Sequence, residues 1–474
     1  MSRSEVDGDM QDAPRADEPR PRGGKGRRDA DVNGGSGGDS PGGGAFGERR
    51  RLTRKAIADQ LRAARAANRQ PYMQPFMFCA GIECSYPIVG ENHRVDQLKE
   101  TGHYDLWRTD LRLAQDLGLN YLRYGVPTHR IWLGPDRYDW TWLDPVMAHM
   151  QQAGISPIID LVHFGLPDWL GEDQERPWFQ NPRWPELFAG YAAAFADRYP
   201  HIRYYTPVNE IYVTALFSGL YGWWNERRAD DAAFVTNLKH CVAASLLAMR
   251  RILARRPDAI FIFSESTEYV HPGSPAVVER ARLMNERRFL SLDLLFAHDI
   301  SATMYRYVTA GGMTEKEYVW FMQQSDLKSH CIMGTDYYIT NEHVLHADGH
   351  ATRVGDVYGY YVITRQYYDR YHLPVMHTET NRSSRQAVGW LWKEWTNLLR
   401  LRDDGVPVIG FTWFGLVDMK DWDSALTNPR GHVNAVGLFD LNRRARPVAR
   451  AYRELIEQYA HLNISQNKFP ALTA

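Results

Sequence analysis

The chain has 474 residues, 44% hydrophobic and 24% charged, with 56 Lys plus Arg against 57 Asp plus Glu and a formal net charge of −1. That is an ordinary globular composition, and so small a net charge excludes a whole-protein field aimed at nucleic acid or acidic lipid. The four cysteines (Cys79, Cys84, Cys241 and Cys331) show no metal-ligand spacing and read as buried free thiols.

Residues 1–50 form a low-complexity tail with Gly34-Gly35-Ser36-Gly37-Gly38 and Gly42-Gly43-Gly44, too poor in apolar surface to fold. Residues 51–75 are a basic lead-in. The Arg49 to Arg69 stretch is Arg- and Ala-rich with no interleaved aromatics, so it reads as a surface helix rather than a nucleic-acid arm. No apolar leader stands near the N-terminus and no apolar run reaches the roughly 18 residues of a membrane span, so the expectation is a cytoplasmic protein.

From Phe76 the pattern alternates. Strands are expected over Phe76–Ile82, Leu119–Val126, Ser156–His163, Tyr204–Val208, Ala259–Ser264, Cys331–Ile339, Leu373–Glu379 and Val406–Phe414. Helices are expected over Tyr104–Leu117, Trp142–Ala153, Pro185–Tyr199, Ala232–Arg255, Arg282–Ala297, Tyr358–Tyr371, Val388–Asp403 and Pro447–Leu462. Strands apolar along their whole length belong to a parallel sheet covered on both faces. Eight alternating units make a single (β/α)8 TIM barrel over 76–474 the expected fold, with its site at the C-terminal ends of the strands.

Two of those strands end on glutamate. Tyr205-Thr206-Pro207-Val208-Asn209-Glu210 closes strand 4, and Val375-Met376-His377-Thr378-Glu379 closes strand 7. Glutamate is rarely buried without a partner, so both carboxylates are expected at one mouth. A facing carboxylate pair suits glycoside hydrolysis, one group attacking the anomeric carbon and the other protonating the leaving oxygen. An ion pair at the barrel rim would give the same spacing.

The chain from about Phe76 onward resembles glycoside hydrolase family 1. Tyr205-Thr206-Pro207-Val208-Asn209-Glu210 is similar to that family's Thr-x-Asn-Glu-Pro segment, and Thr378-Glu379 to its Thr-Glu-Asn-Gly segment. The resemblance implies Glu210 as acid/base, Glu379 as nucleophile and Asn209 as the amide that holds the 2-hydroxyl. It implies further that Arg123, in Tyr121-Leu122-Arg123-Tyr124, steadies the nucleophile, and that Tyr338 reaches it with its hydroxyl. His163, in Leu161-Val162-His163-Phe164, would contact the 3-hydroxyl. Trp413 would floor the sugar subsite, and Asp421 and Trp422 would bind the 4- and 6-hydroxyls. No metal or organic cofactor is implied. The partner is a small-molecule or oligosaccharide glycoside, with no nucleic acid and no membrane, and a homo-oligomer stays open.

The departures fall on the sugar-reading positions. Pro87 stands where the family has a glutamine, Ile211 replaces the proline after the acid/base, Thr380-Asn381 follows Glu379, Asp336 replaces an asparagine, and Asp421-Trp422 lies one residue further from Trp413 than expected. The resemblance thus implies a retaining β-glycosidase with a glycone other than plain glucose. Transglycosylation through the same intermediate, a barrel that only binds a glycan, and a related barrel hydrolase with another sugar are the alternatives. Glu265 and Glu268 read as solvent-facing loop charges in preference to groups that reach the mouth and read a polar or cationic substituent, and Trp169, Trp223 and Trp224 as either aglycone wall or core.

Overall fold

The computed structural model describes residues 73–173 and 175–465. The expected tail and most of the basic lead-in lie outside them. The last residues of the lead-in, Met73–Pro75, form a strand that pairs antiparallel with Asn463–Ser465, so the folded body starts before Phe76.

Eight strands close into a barrel: β1 (Met77–Ile82), β2 (Tyr121–Gly125), β3 (Ser156–Asp160), β4 (Tyr204–Thr206), β5 (Ile260–Phe263), β6 (Cys331–Asp336), β7 (Val375–Glu379) and β8 (Val408–Phe414). Each pairs in parallel with the next, and β8 pairs with β1 (Trp413↔Ala80). Alternate side chains point inward. Met77, Tyr121, Ile158, Tyr204, Ile262, Ile332 and Met376 fill the lumen, while the other face of each strand meets the surrounding helices in one larger core. The lumen is packed, so any cavity must lie at an end.

The helices stand where the apolar periodicity places them, within one or two residues at most ends. Left-handed Gly118 and Gly154 follow two of them, as glycine at a helix end does. Two expectations change. The stretch 282–297 is two helices, Val278–Arg287 and Leu290–Leu295. The region after it holds Ala302–Ala310 and Glu315–Met322. Helix Asp231–Leu253 is long and apolar enough to cross a membrane by length and composition, but most of that apolar stretch is buried, chiefly against helix Trp184–Arg198 and the helical segment 211–220.

The strands are shorter than expected at their C-terminal ends. β3 stops at Asp160 instead of His163, β4 at Thr206 instead of Val208, and β6 at Asp336 instead of Ile339. The residues beyond leave the regular ladder and carry side chains into the mouth. Loops after β5 and β6 add a small sheet (Tyr269–Pro272, Glu342–Leu345 and Ala351–Arg353) that raises one wall of that mouth.

Candidate active site

A cavity of about 730 Å³ opens at the C-terminal mouth, and Glu210 and Glu379 both line it. They are 7% and 4% exposed. One carboxylate oxygen from each, with one from Asp336, lie within 4.8 Å of one another. Glu210 sits in the left-handed region at φ 39°, a strain of about 1–3 kcal/mol that marks functional sites more than ordinary turns. Its backbone N–H donates to Ser264 O at 2.9 Å, which ties the bend to β5.

The two carboxyls have different surroundings. Arg123 Nη1 donates to Glu379 Oε1 at 2.5 Å, and the Tyr338 hydroxyl donates to Oε2 at 2.7 Å. Such charge-assisted donors hold an ionised carboxylate and fix its direction. Glu210 accepts no side-chain donor among the described residues. Burial, and then the charges of Asp336, Glu379 and Glu265, hold its carboxyl well above the usual carboxylate range. One group is therefore placed to stay ionised and the other to keep a proton.

Arg123 is 1% exposed and organises the floor. Its Nη2 donates to Asn209 Oδ1 at 2.8 Å and to Asp160 Oδ2 at 3.2 Å. Burial opposes its charge but is outweighed by Glu379, Asp160 and Asp336. Because Arg123 claims Asn209 Oδ1, the amide nitrogen turns to His163 Nε2 at 3.3 Å. His163 Nδ1 faces Asp160 Oδ2 at 2.8 Å, which places a proton on Nδ1; burial opposes the imidazole's charge, but Cys84, Asp160 and Glu83 around it raise its pKa well above the usual value. Asp336 accepts from Ser264 and Thr378 hydroxyls, both at 2.6 Å, and its carboxyl is pushed up to about 7, by burial first and by Glu379 second.

Several expected positions move. Trp413 is fully buried, its indole N–H on Val436 O at 2.9 Å, and does not line the cavity. Phe414 does, stacked 6.0 Å from His163 with the Arg123 guanidinium 5.5 Å from its ring centre. The cause is a bulge. β7 partners skip from Val408 to Gly410, so one residue of β8 is unpaired and the inward set shifts by one. Counted from Phe414, the extra residue before Asp421-Trp422 disappears. Asp421 faces away from the sugar space: its oxygens accept the backbone N–H groups of Gly431 (2.9 Å) and His432 (2.7 Å). Trp422 lines the cavity as expected, and so does Asp423 next to it, which pairs with Arg430.

Of the three further tryptophans only Trp223 is on the wall. Trp224 is buried with its N–H on Ala425 O, and Trp169 donates to Trp132 O. Glu265 is not in solvent. It is 1% exposed, accepts the Tyr212 N–H and the Ser291 hydroxyl, and burial pushes its carboxyl up to about 8. Glu268 is half-buried on the cavity wall, and burial raises it to about 7 against the opposing charges of Arg287, Arg288 and Arg353.

Two groups have the spacing of a cation site: Cys84, Asp160 and His163, and Glu210, Asp336 and Glu379. Most of their donor atoms already carry protein partners, including both oxygens of Asp336 and of Glu379 and the Asp160–His163 contact.

The family model described as glycosyl hydrolase family 1 matches residues 90–352. Among curated proteins, a bifunctional β-D-glucosidase/β-D-fucosidase from Bifidobacterium breve is 28% identical over 124 residues, 24% of this chain and 26% of that protein. A 6-phospho-β-galactosidase from Staphylococcus aureus is 26% identical over 127 residues, 26% of each. The chain thus spans about a quarter of the curated relatives it matches. A β-glucosidase from Thermotoga maritima, solved with deoxynojirimycin, superposes with a TM-score of 0.69 at 16% identity, covering 83% of this chain and 100% of that one, a likeness of fold.

Proposed function

The chain belongs to glycosyl hydrolase family 1, and from that premise we propose that it is a retaining β-glycosidase with Glu379 as nucleophile and Glu210 as acid and then base. The observation that carries this reading is the separation of the pair. One carboxylate oxygen of each lies within 4.8 Å of the other, which fits the short spacing of retaining sites, with carboxyls about 5–5.5 Å apart, rather than the roughly 6.5–9.5 Å of inverting ones.

A Glu379 oxygen attacks the anomeric carbon while the glycosidic oxygen takes the Glu210 proton and leaves. This gives a glycosyl ester on Glu379 and an ionised Glu210. Water then attacks the same carbon, Glu210 takes its proton, and Glu379 is released, so the configuration is kept. Arg123 and Tyr338 aim the nucleophile, and the Asp160–His163–Asn209 chain presents polar atoms to the ring hydroxyls. Phe414 and Trp422 give the ring two apolar surfaces.

The test is Glu379→Gly with and without azide on an aryl β-glycoside. Loss of turnover by itself and partial return with azide are expected, and undiminished hydrolysis by the variant would refute the assignment. A charged substrate is a second reading, favoured by Arg382. It is half-buried on the cavity wall, has no acidic partner among the described residues, and burial lowers its pKa. The same substrate panel with 6-phosphorylated glycosides decides it.

A further inference from the structure

One carboxylate on the cavity wall has no part in the steps above. Glu83 follows β1 directly, is 4% exposed and lines the cavity. Its Oε1 accepts the Ser85 N–H at 2.8 Å. Its Oε2 lies 3.9 Å from His163 Nε2, at ion-pair distance but beyond hydrogen-bond reach, and the imidazole's charge partly offsets the rise that burial causes in the Glu83 carboxyl. The imidazole beside it is already engaged, through Nδ1 with Asp160 and through Nε2 with Asn209. A buried carboxylate loses several kcal/mol of hydration unless donors replace the water, and the Ser85 N–H is one donor for two oxygens.

The positions around it explain what is missing. Pro87, at the point where the sequence leads one to expect an amide, has no side-chain donor or acceptor. Asp421, the other expected reader of hydroxyls, is spent on the Gly431 and His432 N–H groups. Both are positions that the family resemblance gives to reading the sugar's hydroxyls. Glu83 stands beside His163, with an oxygen left to accept.

We propose that Glu83 is a specificity-determining residue of the glycone subsite, accepting a hydrogen bond from a donor on the sugar, a hydroxyl or an ammonium, on the side of the ring turned to His163. The proposal rests on the glycosidase reading and names what that site selects. A glycone lacking a donor there leaves the carboxylate buried and unmet, and so is rejected.

The experiment compares wild type, Glu83→Ala and Glu83→Gln on 4-nitrophenyl β-D-glucoside and β-D-galactoside, their 3-deoxy and 4-deoxy analogues, and the 4-amino-4-deoxy analogues, with thermal melting of each variant as a check of folding. On the hydroxylated glycosides E83A should lower kcat/KM by roughly 10- to 150-fold, the range of a hydrogen bond to a charged group. On the deoxy glycoside that lacks the contacted hydroxyl the same substitution should cost less than about threefold. E83Q keeps the shape and one acceptor and separates the two donors. A smaller loss than in E83A on the hydroxylated sugars marks a hydroxyl, and a loss on the amino sugar as large as in E83A marks an ammonium. Equal losses on parent, deoxy and amino glycosides, or no loss on any, would overturn the proposal while wild-type turnover leaves the glycosidase reading standing. No turnover of any glycoside by wild type would overturn both.

Discussion

Tyr338→Phe isolates one bond of the site. The Tyr338 hydroxyl donates to Glu379 Oε2 at 2.7 Å and reaches no other side-chain acceptor among the described residues. Phenylalanine fills the same space, so no cavity opens. Arg123 still holds the other oxygen at 2.5 Å. A hydrogen bond to a charged group contributes about 1.5–3 kcal/mol, which at 1.36 kcal/mol per decade converts to a rate loss of roughly 10- to 150-fold. The side chain is half-buried, so the lower half of that range is expected. The loss should fall on kcat/KM for aryl β-glycosides, because the freed carboxylate is less well aimed at the anomeric carbon. The melting temperature should move little, since the hydroxyl faces the cavity rather than the core. Steady-state kinetics with single-turnover bursts measure both steps. A kcat/KM within threefold of wild type, with the fold intact, would refute the role given to this bond.

Two further perturbations test the protonation pattern. Burial and the neighbouring carboxylates raise the Glu210 carboxyl, and the protonated form is the active acid, so activity should fall as pH rises through its raised pKa. Glu210→Gln should abolish that basic limb, and substrates with good leaving groups should lose far less than those with poor ones; an unchanged limb would exclude Glu210 as the acid. Glu265, raised by burial to about 8 from the ordinary carboxylate value of 4.5, keeps its proton in the folded state while the unfolded chain gives it up, so it lowers stability progressively as pH rises from about 4.5 to 8. Glu265→Gln can preserve the Tyr212 and Ser291 bonds without the charge. Its melting temperature relative to wild type should increase between pH 5 and pH 8, and a constant difference would show that the group does not titrate as buried.

The parts of the site that were legible in the sequence are those delivered by whole strands. An apolar run ending on a carboxylate places Glu210 and Glu379 at one mouth once the strands are counted, and the motif around Arg123 adds the guanidinium between them. What stayed hidden depends on local backbone detail. The bulge in β8 leaves no mark in Val408–Phe414, yet it exchanges Trp413 for Phe414. Asp421 was lost to backbone donors ten and eleven residues on, which composition cannot show. Glu83 did leave a signal: Phe76–Ile82 is a third apolar strand that ends on glutamate. Cys84-Ser85-Tyr86-Pro87 drew attention to the missing amide instead. Glu265 has the same form at the end of β5, but its oxygens turn to Tyr212 and Ser291, so the pattern finds strand-end carboxylates without saying which face the cavity.

The assignment of roles within the pair also follows from the count of charges. Asp160, Glu210, Asp336 and Glu379 crowd a floor where, among the described residues, one guanidinium stands, that of Arg123. Four ionised carboxylates around one guanidinium and the His163 imidazole in a buried site would be strongly repulsive. Protons must remain, and the donors decide where. Glu379 is met by Arg123 and Tyr338, and Asp160 by Arg123 and His163. Glu210 has no side-chain donor among the described residues, and Asp336, given two hydroxyls, is raised to about 7. The ionised, aimed group is therefore Glu379 and the proton carrier beside it is Glu210. Exchanging the roles would put the negative charge where no donor reaches and leave Arg123 directed at a neutral acid.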